Sequence, residues 1–106
     1  MIIDIHSHVC ATPELYVWKS NLIASRGAHG SSPLKFKDEF VREHSETKKN
    51  LRIMDNVGTD MQFLSPRPFQ LMHAEKPWRI VEAWAVANHD YIAQQVTAFP
   101  ARFRGV

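Results

Sequence analysis

The sequence predicts a parallel α/β protein, and three observations point to it. Strand-like and helix-like segments alternate along the 106 residues. The strand-like runs are short, apolar and closed by turn residues. The segments between them repeat their apolar residues at helical spacing. Alternation of this kind is the mark of βα units whose strands lie side by side in parallel.

Each element has its own signal. Met1 to Ile5 is an apolar run broken only by Asp4, and it reads as a buried strand. Thr12-Pro13-Glu14 opens a helix: a hydroxyl N-cap, a proline at the first helical position and an acid beside the positive dipole end. Leu15, Trp18, Leu22 and Ile23 follow at helical spacing, and Gly27 ends the run. Residues 27–33 are loop-like. Phe36 to Val57 reads as helix in two pieces with Phe40, Val41, Leu51, Met54 and Val57 as its apolar face, and Gly58 stops it. Asp60 to Ser65 is the second strand, closed by Pro66 and Pro68. Pro77 starts the clearest helix, striped by Ile80, Val81, Trp84, Ala87, Tyr91, Ile92, Gln95 and Val96 and ended by Phe99-Pro100. Phe103 to Val106 reads as the beginning of a third strand. Trp18, Trp78 and Trp84 are expected to pack, and His44, His73 and His89 to lie at the surface or at caps.

Composition narrows the function classes. Hydrophobic residues make up 44% and charged residues 23%, which is globular rather than disordered. A net charge of +2 is too small to argue for nucleic acid but suits a small anionic substrate. The single cysteine, Cys10, allows no intrachain disulfide and fits a reducing compartment. No apolar run approaches the ~20 residues needed to cross a bilayer, and the start of the chain has no secretory pattern. The expectation is a cytoplasmic protein with no membrane partner. Two strands and the start of a third leave one sheet edge unpaired and helix faces uncovered. Residues 1–106 are therefore expected to be an incomplete domain.

Chemistry begins at His6-Ser7-His8. Residues two apart on a strand share a face, so both imidazoles could reach one metal ion. The spacing alone is not specific, because six histidines in a chain of this length produce such a pair by chance roughly 0.28 times. Position adds weight, since enzymes built on parallel barrels place their sites at the C-terminal ends of strands. The bland alternative, two polar residues leaving a strand for a loop, stays open at this point.

Ile2-Ile3-Asp4-Ile5-His6-Ser7-His8 resembles the opening strand of the amidohydrolase superfamily, whose apolar-Asp-x-His-x-His signature gives two ligands to a divalent metal. Residues 99–106 resemble the approach to strand three in the decarboxylase and hydratase branch of that superfamily. Residues 22–30 and 58–70 are similar to 4-oxalomesaconate hydratases of protocatechuate catabolism. The resemblance covers essentially the whole chain. It implies a distorted (β/α)8 TIM barrel, of which this chain would supply the first two βα units and the start of strand three. It also implies a divalent metal, with zinc the expected ion, held near the barrel mouth by His6 and His8. A further histidine and an acidic ligand, and the general acid and base, are expected beyond Val106, so the chain alone is expected to be inactive. The implied activity is that of a lyase adding water across the activated double bond of an unsaturated oxo-tricarboxylate, in a homo-oligomeric parent. Alternatives are a metal-dependent decarboxylase of the aminocarboxymuconate-semialdehyde or resorcylate type, a hydrolase of the same superfamily, and an inert fragment.

Substrate residues follow from that setting. Arg67, just after the second strand, would lie at the same mouth and could pair a carboxylate through two parallel hydrogen bonds. Its plain alternative is an arginine in a proline-rich surface loop. Ser65 could donate one more hydrogen bond, or cap backbone at a strand end. Arg26 and His29, in the loop after the first helix, could meet further carboxylates, or be a dipole partner and a solvent-exposed ring. Cys10 would share a face with the histidines if the strand ran that far, but a buried small side chain is the expected role.

Overall fold

The computed structural model describes residues 1–28, 35–67 and 70–106. The elements run β1 (Ile3–Val9), α1 (Pro13–Ala24), α2 (Asp38–Glu43), α3 (Ser45–Val57), β2 (Met61–Pro66), α4 (Arg79–Ala98) and β3 (Phe103–Gly105). The three strands form one sheet in the order β1-β2-β3, with both pairings parallel. The chain is thus α/β with a parallel sheet, as its alternating pattern predicts.

Local chemistry sets the helix ends. The Thr12 side chain accepts a hydrogen bond from the Leu15 N–H and so caps α1. Gly58 ends α3 with φ 76°, a left-handed conformation that glycine adopts without a Cβ clash. Its N–H and that of Thr59 return to the last-turn carbonyls of Asp55 and Met54. The two-piece helix is real: α2 and α3 meet at His44, which is half-buried and holds the cap position of both, one of the two places expected for it.

Helix α4 is the centre of the packing. Its buried stripe of Ile80, Trp84, Ala87, Tyr91, Ile92 and Gln95 follows the predicted one. Trp84 is 1% exposed, stacks with Trp18 at a ring distance of 6.3 Å, and packs with Leu15 and Leu22 of α1. A second cluster joins Met54, Leu64, Ile92 and Phe103, which ties α3 and α4 to the strands. Not every expected core residue packs. Trp78 precedes the helix and is 70% exposed, so it does not pack, while Ile23, Val57 and much of β1 also face outward. Periodicity names the apolar side of a helix but not what stands opposite each position.

The first strand runs further than expected, through both histidines to Val9, and it is not buried. Ile2, Ile3 and Ile5 are 57%, 46% and 77% exposed. It is an edge strand of a sheet whose second core cluster takes its buried residues from α3, α4, β2 and β3, and none from β1. Exposed apolar strand surface of this kind opposes independent stability. The isolated 106-residue chain should therefore show no sharp cooperative thermal transition as a monomer; a steep two-state melt at low concentration would contradict this.

Candidate functional site

The site is built on an irregularity in the β1–β2 ladder. Asp4 pairs with Gln62 and Ser7 with Leu64, so Ile5 and His6 together stand opposite the single residue Phe63. Two residues against one is a bulge, and bulges re-aim side chains beside functional sites. The bulge puts Asp4 and Ser7 on the same side, where both reach Gln62. Gln62 donates from Nε2 to Asp4 Oδ2 at 3.1 Å, and its Oε1 accepts from Ser7 Oγ at 3.3 Å and from Asn50 Nδ2 of α3 at 2.8 Å. The other carboxylate oxygen of Asp4 accepts the backbone N–H of His6 at 3.0 Å.

Asp4 therefore ties the bulge together from both ends. A backbone N–H that leaves the ladder needs another acceptor, and the carboxylate two residues earlier supplies it. Asp4→Ala should lower stability by about 1–2 kcal/mol, the range of a partly exposed carboxylate hydrogen bond. Chemical denaturation of the full-length protein measures it, and an unchanged midpoint would contradict the role.

His6 and His8 are brought together. Their Nε2 atoms lie 3.0 Å apart, with ring centroids 4.8 Å apart and planes nearly perpendicular. Both rings are exposed. Two imidazoles bound tetrahedrally to one zinc ion at ~2.0–2.1 Å hold their nitrogens about 3.3 Å apart, so the pair needs to open by only a few tenths of an ångström. The donor set suits zinc or a similar cation on chemical grounds as well. Among the described residues no group of three or more His, Cys, Asp or Glu side chains converges, so the pair offers two ring nitrogens and no third donor of these types.

Ser65 joins this pair from the neighbouring strand. It stands in register with His8, its Oγ is 2.9 Å from His8 Nδ1, and it donates to the Ser7 carbonyl at 3.1 Å. Arg67 lies one step past the end of β2, exposed, and its Nη1 donates to Cys10 Sγ at 3.4 Å. Cys10 is half-buried beside that guanidinium, where a buried small side chain was expected. The strand ends thus carry two linked sets, His6–His8–Ser65 and Cys10–Arg67.

Tyr16 and Gln70 are the residues that sequence alone did not single out. The Tyr16 hydroxyl donates to Gln70 Oε1, while the Gln70 carbonyl accepts from Trp84 Nε1 at 2.6 Å. Burial raises the Tyr16 pKa and Cys10 adds to the rise, with Arg67 and the Gln70 bond opposing it, so the phenol stays neutral beside the arginine. Position Tyr16 follows a helix cap and has no motif, which is why it carried no signal.

Of the other expected substrate residues, Arg26 makes no contact with these groups among the described residues. Arg26 follows α1 with φ 54°, its carbonyl clamped by Arg79 Nε and Nη2 at 3.1 and 3.0 Å. Its side chain is exposed, and among the described residues no hydrogen bond or ion pair links it to His6, His8 or Arg67. His29 lies outside the described residues. No helix is long and apolar enough to cross a membrane among the described residues.

No family model matches the chain. Over its whole length it is 31% identical to 2-keto-4-carboxy-3-hexenedioate hydratase of a Sphingobium species, of which it covers 32%. Its structure is similar to that of 4-oxalomesaconate hydratase LigJ from Rhodopseudomonas palustris, with a TM-score of 0.80 and 27% identity, over the whole chain and 31% of that protein. The chain spans about a third of the length of the curated relative it matches, and the match falls on the N-terminal part. The likeness to hydratases seen at residues 22–30 and 58–70 thus extends across all of the chain.

Proposed function

We propose, from kinship with these hydratases along the entire chain, that this segment forms the metal-binding and carboxylate-binding edge of a hydro-lyase acting on an unsaturated oxo-tricarboxylate such as 4-oxalomesaconate. The observation that carries the reading is the convergence of His6 Nε2 and His8 Nε2 at the strand ends of a chain that matches hydratases throughout. On this reading the sheet is the start of a (β/α)8 barrel of the amidohydrolase type. The full-length enzyme is then a cytoplasmic homo-oligomer.

His6 and His8 would hold a divalent cation, with zinc best suited to the imidazole donors. Such an ion, when bound, supplies Lewis-acid polarisation of a substrate oxygen or a lowered pKa for bound water. The chain's own groups do the rest of the local work. Arg67 takes one substrate carboxylate, while the proton of the neutral Tyr16 hydroxyl is held by Gln70 Oε1. Arg26 and His29 are candidates for a second carboxylate. Both named relatives are hydratases, which gives the decarboxylase and hydrolase alternatives no support.

The test follows the absorbance of the conjugated oxo-acid with the full-length protein. Hydration removes the conjugated double bond, so absorbance should fall, stop after treatment with a chelator and return on adding zinc. Release of carbon dioxide instead of hydration would replace this reading with the decarboxylase.

A further inference from the structure

A serine hydroxyl carries one proton and two lone pairs. The proton of Ser65 is engaged, because Oγ lies 3.1 Å from the Ser7 carbonyl oxygen, an atom that can only accept. The same Oγ lies 2.9 Å from His8 Nδ1. An oxygen whose proton goes to the carbonyl meets that nitrogen as an acceptor, so both contacts are satisfied together only when Nδ1 bears the hydrogen. In a neutral imidazole the other nitrogen then holds the lone pair.

We propose that Ser65 is a positioning residue that locks His8 in its Nδ1–H tautomer and aims the Nε2 lone pair at the point where His6 Nε2 converges; its cause rests on geometry alone, and its consequence for ligation rests on the metal reading above. The arrangement around the pair agrees with it. His6 Nε2 stands 3.0 Å from His8 Nε2, which requires one donor and one acceptor between them in the metal-free protein. A lone pair on His8 Nε2 lets the His6 N–H supply the donor. The cross-strand register of His8 with Ser65 holds the hydroxyl in place, and the Ser7 carbonyl on the same strand as His8 fixes its rotation.

Ligating histidines commonly give their second N–H to a carboxylate or a backbone carbonyl, which sets the tautomer and raises basicity. Here the serine hydroxyl relays a backbone carbonyl to the ring. The donor that the sequence offered to a substrate is therefore spent inside the protein. Ser65 acts on the reaction only through His8.

The experiment uses the full-length protein labelled with ¹⁵N at histidine, metal-free, at a pH where the ring is neutral. Wild-type His8 should show a protonated Nδ1 and a bare Nε2. Ser65→Ala should populate both tautomers, and Ser65→Thr, which keeps a hydroxyl, should restore the wild-type pattern. A wild-type His8 protonated at Nε2, or a Ser65→Ala spectrum unchanged at His8, overturns the proposal. Should Ser65→Ala fail to fold, the wild-type and Ser65→Thr spectra still decide. In a chelator competition, Ser65→Ala should bind zinc about 10–100-fold more weakly than wild type, with Ser65→Thr close to wild type. Equal zinc affinity in Ser65→Ala overturns the consequence for ligation. The Nδ1–H tautomer in a wild-type protein that takes up no zinc would support the role of Ser65 and overturn the metal reading.

Discussion

His6→Ala in the full-length protein should carry no stoichiometric metal and should hydrate the oxo-tricarboxylate on the order of 10³-fold more slowly than wild type. The loss follows from the several kcal/mol of charge stabilisation that a bound cation contributes. His6 supplies one of two converging ring nitrogens, and its removal leaves His8 as a single donor from this chain. The fold should survive, because the His6 ring is exposed and its backbone N–H is held by Asp4. Elemental analysis of the purified variant and its kcat/KM measure both effects. A variant with wild-type metal content would remove His6 from the ligand set.

Arg67→Ala should have the complementary phenotype, keeping the metal and losing substrate recognition. The guanidinium stands at the end of the strand next to the histidines, and its contact with Cys10 leaves it exposed to solvent. A charge-assisted pair with a carboxylate is worth about 1.5–3 kcal/mol, roughly a ten- to hundredfold fall in kcat/KM. Arg67→Lys should recover only part of it, since one ammonium cannot reproduce two parallel hydrogen bonds. Normal turnover by Arg67→Ala, or loss of metal together with activity, would contradict the assignment.

The fold was legible wherever one residue decides the local outcome. Thr12 and Gly58 act through their own cap geometry, and α4 through a stripe long enough to define a face. The exposure of Ile5, Val57 and Trp78 was not legible, since burial depends on what packs opposite and periodicity is silent about that. In the site, the spacing of His6 and His8 was readable as a shared strand face. The bulge that separates Asp4 from them was not: plain alternation would have set all three on one side. Ser65 could be placed at a strand end from sequence, but its pairing with His8 is a matter of register between strands 57 residues apart. Tyr16 and Gln70, 54 positions apart, meet only once the helix packs beside the strand ends.

On the proposed reading, His6 and His8 bind one metal ion through their Nε2 atoms. Anomalous X-ray scattering at the zinc edge, from crystals of the full-length protein supplied with zinc, tests it directly. One peak bonded to both Nε2 atoms is expected, with His8 Nδ1 still on Ser65. A peak bonded to neither ring, or to His8 through Nδ1 with the Ser65 contact broken, would contradict it.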